Sequence, residues 1–208
     1  MDTTTSPVRR SHGLPPVRLE PWTEDDLGLL RATNAPELMH HLGGPETEEQ
    51  LLGRHRRYVA LSAARPEEGR MFRIVLLPGG EAVGTIGFWE RVWQGQCVYE
   101  TGWTVLGAYQ GRGMAAAAAE AVVERARAAG GHRYVHAFPS VGNPPSNGVC
   151  RRAGFELRDE CDIEYPLGHL MRCNDWRLDL AGTGPARARE AESQARHPGK
   201  GGRPASTP

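Results

Sequence analysis

Val105-Leu106-Gly107-Ala108-Tyr109-Gln110-Gly111-Arg112-Gly113-Met114-Ala115 reads as the end of a strand, a turn and the start of a helix. The partly alternating run Cys97 to Val105 leads in, and the Ala-rich run Met114 to Ala129 leads out until Gly130 closes it. The first amides of such a helix have no internal acceptor and lie at the positive end of its dipole. Gly111 and Gly113 tolerate positive φ and let backbone come close, so the turn can wrap a phosphate pair with N–H donors. A P-loop would need Gly-Lys-Ser/Thr, and Lys200 is the only lysine of the chain. The dinucleotide fingerprint G-x-G-x-x-A is formally met by Gly111, Gly113 and Ala116. It also needs an acidic residue about 20 positions on, and Ala126 to Pro145 holds none. Two readings are left: Q-x-x-G-x-A at Gln110, Gly113 and Ala115, or a turn that merely requires glycine.

Upstream of this stretch, Val17, Leu19 and Pro21 predict a short strand. Thr23 then caps a helix with Glu24, Asp25 and Asp26 in its first turn, and Asn34-Ala35-Pro36 breaks it. Thr47 with Gln50 makes a capping box for a second helix, whose buried stripe is Leu51, Leu52, His55, Tyr58, Val59 and Ser62. Met71 to Leu77 and Ala82 to Trp89 form a hairpin about Pro78-Gly79-Gly80. On the Ala-rich helix, Ala115, Ala119, Val122, Val123 and Ala126 face inward, while Glu120, Glu124 and Arg127 share a solvated face. Downstream come a strand at Tyr134 to Phe138, a short helix at Ser146 to Ala153, and a closing strand pair at Phe155 to Tyr165 and Leu170 to Leu180. The order β-α-α-β-β-β-α-β-α-β-β defines a mixed α/β layer fold with antiparallel hairpins first and a β-α-β crossover in the middle.

The 208 residues suit one domain with tails. Residues 1–14 and 181–208 are rich in Gly, Pro, Ser, Thr, Ala and Arg without apolar periodicity, and both read as disordered, leaving a folded body at 15–180. The formal charge is zero overall. The tail carries four Arg and one Lys against two Glu, and the head Arg9 and Arg10 against Asp2, so the body is mildly acidic. That argues against nucleic-acid binding, which calls for a basic face. No stretch approaches the roughly 20 apolar residues of a membrane span. Cys97, Cys150, Cys161 and Cys173 lack C-x-x-C spacing or a neighbouring His in zinc register, so no metal is expected, and reduced thiols in the cytoplasm are the default. His40-His41 reads as a solvated pair, and His132 and His136 as structural.

The Q-x-x-G-x-A turn resembles the acetyl-CoA motif of the GNAT acetyltransferase family, and the likeness extends in order along the body. Val17-Arg18-Leu19-Glu20-Pro21, Asn34-Ala35-Pro36-Glu37 and Gly43-Gly44-Pro45 are similar to the opening of the RimJ/RimL-type branch. Tyr99-Glu100-Thr101-Gly102-Trp103 is similar to its fourth strand, and Asn143-Pro144-Pro145-Ser146 with Arg152-Ala153-Gly154-Phe155 to its N-x-x-S…GF segment. The resemblance implies a central mixed sheet of six to seven strands flanked by about four helices. It also implies direct acetyl transfer from acetyl-CoA to a primary amine, either a peptide N-terminus or a small molecule, and allows a homodimer. Gln110, Gly111, Arg112, Gly113, Met114 and Ala115 would hold the diphosphate, with backbone at Val105 or Leu106 facing the thioester and Asn143 on the pantetheine. Glu100 is the implied base, with Glu90 second, and Ser146 can donate to the leaving thiolate; the alternative for Ser146 is a helix cap. Many family members place a Tyr where this chain has Cys150, which reads as a small core residue. A competing reading is an acyl-CoA-binding module without catalysis.

Overall fold

A computed structural model describes residues 13–165 and 168–182, so the expected tails lie almost wholly outside the described residues. Strands β1 (Val17–Pro21), β2 (Gly69–Leu76), β3 (Glu81–Trp93), β4 (Gln96–Val105), β5 (Tyr134–Ala137), β6 (Glu156–Glu164) and β7 (Leu170–Asp179) form one sheet. Its order is β1-β2-β3-β4-β5-β7-β6. All neighbours are antiparallel except β4 and β5. The helices are α1 (Leu27–Ala32), α2 (Pro36–Met39), α3 (Glu48–Ala63), α4 (Met114–Ala129) and α5 (Pro144–Arg152).

Strand alternation divides the core. On one face Phe72, Ile74, Ile86, Phe88, Tyr99 and Val135 pack against α4 and α5. On the other, Met71 and Trp89 meet Trp22, Leu30 and Leu51 under α1 and α3. Ala116, Ala117, Ala118 and Ala119 are all buried, more of α4 than one stripe, and their small side chains let the helix lie close to the sheet. The capping box of α3 forms as its sequence predicts: the Gln50 N–H donates to Thr47 Oγ1 at 3.3 Å and the Thr47 N–H to Gln50 Oε1 at 2.8 Å. Ser62 Oγ, from the expected stripe, donates to the Met71 carbonyl at 3.0 Å.

Several boundaries move. The run breaks at Asn34-Ala35-Pro36 as read, since α1 ends at Ala32, but Pro36 also opens a further short helix, α2, because a proline is tolerated in a first turn whose N–H has no internal acceptor. Strand β3 runs on to Trp93, and Gln94 (φ 47°) and Gly95 (φ 77°) turn it into β4 as a two-residue hairpin loop. Leu14, assigned above to the head, packs on the core. Arg127 is not on a solvated face: its Nε donates to the Leu180 carbonyl at 2.8 Å, tying α4 to the end of β7.

Candidate active site

The site begins where two strands part. β4 and β5 share two rungs, Tyr99↔Val135 and Glu100↔His136. Past them β5 follows β7 instead, with the Asn174 N–H donating to the Pro139 carbonyl and the Val141 N–H to the Arg172 carbonyl. A gap therefore opens beside Thr101 to Val105. Leu106 does not face it with a free donor, as expected above, because its N–H donates to the Val83 carbonyl at 2.9 Å. Antiparallel alternation then turns the N–H groups of Val105 and Trp103 away from β3 and toward the gap. The Val105 carbonyl on that side accepts from Gln110 Nε2 at 3.0 Å, so Gln110 fastens the turn to the strand it leaves.

The turn has the predicted backbone. Gly111 and Gly113 sit at φ 71° and 83°, and Gly113 is the N-cap residue of α4. The first helical bond is donated by the Ala117 N–H to the Gly113 carbonyl, so the amides of Met114, Ala115 and Ala116 precede any internal acceptor. A Cβ on Gly111 would meet nothing within 4 Å, which leaves its outer side open. Arg112 is the charged side chain of the turn, exposed and lying over the Tyr109 ring. These residues fit a diphosphate.

At the far side of the gap, α5 starts two residues earlier than predicted, with Pro144 and Pro145 in its first turn. Asn143, expected on the pantetheine, is the cap: its Oδ1 accepts from the Ser146 N–H at 3.1 Å. Ser146 is thus not the capping residue, and it lies half-buried on the first turn. Cys150 is fully buried in the core, and burial pushes its thiol up to about 12, where it is neither nucleophile nor acid. Asn147 was not singled out from sequence. Its Nδ2 donates to the Ser140 and Asn143 carbonyls, and its Oδ1 accepts from Asn174 Nδ2 and Trp176 Nε1.

Glu100 points to the face opposite α4, where its carboxylate is held by the Arg91 guanidinium. Beside it on β5, His136 Nδ1 lies 2.6 Å from Asp175 Oδ1, and Asp175 Oδ2 accepts from Trp93 Nε1 at 3.0 Å. Glu90 lies on the α4 face and contacts His132 Nε2 at 2.8 Å, away from this group. Tyr58 and Tyr165 stand near a buried ion pair of Arg54 and Glu46 (2.6 Å); burial raises both hydroxyls, partly offset by Arg54. An open cavity of about 680 Å³ follows, between the His40–Gly44 turn, the Ser140–Gly142 loop and the His169–Arg172 segment. Among the described residues no carboxylate lines it. The His40 and His41 rings lie tilted against each other with centroids 3.7 Å apart, and burial, then His40, lowers the His41 pKa. The sequence reads His136 as structural and does not mark Asp175 or the Arg91–Glu100 pairing, since nothing local marks residues that meet across four strands.

Among solved structures the chain resembles aminoglycoside acetyltransferase AAC(6')-Ib in complex with coenzyme A, at TM-score 0.62 and 20% identity over 87% of this chain and 99% of that one. It resembles spermidine N-acetyltransferase from Vibrio cholerae in complex with coenzyme A and spermine (TM-score 0.62, 12% identity, 79% and 96% covered). It also resembles the ribosomal α-N-protein acetyltransferase RimL in complex with coenzyme A (TM-score 0.63, 18% identity, 78% and 93% covered). No curated protein matches the chain. No helix among the described residues is long and apolar enough to cross a membrane. The model of the acetyltransferase (GNAT) domain matches residues 17–156, more than half of the sequence and every element that borders the gap, and the chain therefore belongs to the GNAT acetyltransferase family.

Proposed function

We propose that the protein transfers the acetyl group of acetyl-CoA directly to a primary amine. The observation that carries this reading is the junction of two features: a turn of unpaired helix amides and the β4–β5 gap that begins beside it. The diphosphate is held by backbone N–H groups of residues 111–115 and by Arg112. The extended pantetheine arm runs along the exposed ladder of β4, with Asn143 and Ser146 across the gap. The N–H groups of β4 that face the gap can receive the negative charge that develops on the thioester oxygen. The thiolate leaves readily, and Ser146, the hydroxyl on the first turn of α5, can protonate it.

The acceptor enters from the opposite face, through the cavity lined by His40, His41, Ser140, Val141, His169 and Arg172. Binding of polycations such as the aminoglycosides and spermine of the structural neighbours requires carboxylates to offset their charge. The carboxylates here are either absent from the lining or already held by arginine, as Glu100 is by Arg91 and Glu46 by Arg54. An acceptor with a single amine, the α-amine of a peptide or of an amino-acid-like molecule, fits this charge pattern better than a polyamine.

Calorimetric titration with acetyl-CoA, on the wild type and Arg112→Glu, tests the donor site. Arg112 is exposed on the turn, so a carboxylate there spares the fold, yet it opposes a diphosphate. Binding that falls at least about tenfold in the variant, with an unchanged melting temperature, supports the reading. Equal binding in both refutes the site. Tight binding with no turnover of any amine identifies a non-catalytic acyl-CoA module.

A further inference from the structure

We infer that His136, oriented by Asp175, is the group that takes the proton from the acceptor amine, a role that rests on the function proposed above. His136 occupies the last rung shared by β4 and β5, beside Glu100, where the gap begins. Its alternation puts it on the acceptor face: Val135 and Ala137 belong to the core under α4, and His136 points the other way. The imidazole and the Asp175 carboxylate are almost wholly buried, 5% and 3% exposed, on a rung that also carries Glu100 and Arg177. A histidine and an aspartate taken out of water at 2.6 Å cost desolvation that a pair of apolar side chains would avoid. The arrangement is instead what a base needs. Asp175 Oδ1 accepts from Nδ1–H and fixes the tautomer that leaves Nε2 with its lone pair. Trp93 Nε1 holds the second carboxylate oxygen, so the aspartate cannot turn away.

Glu100, the base expected from sequence, is less suited to the task because the Arg91 guanidinium already occupies its carboxylate. Arg91 in turn lies over the rings of Trp93 and Phe138, and Phe138 stacks on His136 with centroids 5.8 Å apart. The titratable and charged groups around His136 on this face are thus Glu100 and Arg91 from β4 and β3, Tyr134 from β5, Asp175, Arg177 and Cys173 from β7, and Cys161, Asp159 and Glu156 from β6. Arg177 is engaged over the Tyr134 ring at 4.5 Å, and burial pushes the Cys161 and Cys173 thiols up to about 11 and about 12, so neither thiol competes as a base near neutrality.

The step balances as follows. The acceptor arrives as an ammonium, and Nε2 takes one proton to give an imidazolium whose charge Asp175 offsets. The freed nitrogen lone pair attacks the thioester carbonyl carbon, a C–N bond forms, and the C–S bond breaks. The second amine proton goes to the departing thiolate, and the imidazolium returns its proton to water.

The test uses the full chain with acetyl-CoA, an α-amine peptide panel, spermidine and an aminoglycoside, and compares wild type, His136→Gln and Asp175→Asn. His136→Gln is expected to keep acetyl-CoA affinity within about twofold while kcat falls at least about 100-fold and the rise of kcat/KM with pH disappears. Asp175→Asn, which removes the charge that stabilises the imidazolium, is expected to lower kcat and move that rise to lower pH. Nitrogen-resolved NMR of the unliganded protein should find the His136 proton on Nδ1 in the wild type. Should His136→Gln fail to fold, the NMR result and Asp175→Asn decide. Wild-type turnover and pH profile in a folded His136→Gln, or a proton resident on Nε2, overturns the proposal alone. A wild type inert toward every amine overturns it together with the function on which it rests.

Discussion

Replacing Asn147 with alanine tests whether one side chain sets the geometry of the α5 side of the gap. Four hydrogen bonds converge on it: donation to the Ser140 carbonyl (2.9 Å) and the Asn143 carbonyl (2.8 Å), acceptance from Asn174 Nδ2 (2.6 Å) and Trp176 Nε1 (2.8 Å). Each such bond is worth about 1 kcal/mol net, and a buried donor left without a partner costs about 1–3 kcal/mol. Trp176 is only 4% exposed and would become that donor. The half-buried loop carbonyls recover part of their loss from water, which leaves a destabilisation on the order of 3–4 kcal/mol. That corresponds to a fall in melting temperature of roughly 10 °C for a body of this size. Urea titration measures the shift, and unchanged m-values confirm that the unfolded state is the same. Asn147→Asp keeps the acceptor for Trp176 and Asn174 but sets a buried carboxylate oxygen against the Ser140 and Asn143 carbonyls, so its loss should be no smaller than that of the alanine variant. Because Ser140, Val141 and Gly142 line the cavity, the acceptor KM should rise several-fold in the alanine variant while acetyl-CoA affinity changes less. A loss below about 1 kcal/mol would refute the reasoning, since it would mean that water satisfies all four partners.

Other consequences are simpler to check. Thr47→Ala removes the oxygen that caps α3 and should cost about 1 kcal/mol by thermal melting, with kinetics unchanged. Gly113→Ala forces a side chain to φ 83° and sets its Cβ 3.2 Å from Leu14 and Pro15, so about 1–2 kcal/mol of stability and much of the acetyl-CoA affinity should be lost. In the native protein a thiol reagent at pH 7.5 should label the exposed Cys97 quickly and the buried Cys150 and Cys173, both pushed to about 12, only on unfolding. His41 has its pKa lowered from 6.5 in the folded state, so the unfolded chain binds more protons below that value, and stability falls as pH drops through it. His41→Gln should therefore flatten the dependence of stability on pH between about 7 and 5.

The sequence was most readable where local chemistry decides the outcome. Thr47 with Gln50, the glycines of the α4 turn, and the alternation of β2 and β3 each state their structure within a few residues, and the order of elements follows. The closing pair was also found, although β6 is largely charged and exposed, as befits a strand at the edge of the sheet. The Gln94-Gly95 turn was legible in principle, because a glycine in a two-residue loop between Trp93 and Gln96 signals a hairpin. Other features depend on register. Whether Leu106 or Val105 presents an amide to the gap turns on one step of the β3–β4 ladder, which composition does not encode. The pairing of Glu100 with Arg91 and the bond from His136 to Asp175 join residues whose meeting requires the finished sheet. Asn147 lies within the short helix read at Ser146 to Ala153, where nothing local sets it apart, and only the fold shows that a single amide braces a loop, a cap and a neighbouring strand.

The parting of β4 and β5 also bears on how the protein holds itself together. With only two rungs between them, the four strands before the gap and the three after it share a seam that is nearly open. Acyl-CoA lying there would complete the seam, so occupancy should slow amide exchange at Trp103 and Val105 and make the two leaves of the sheet open as one cooperative unit rather than two.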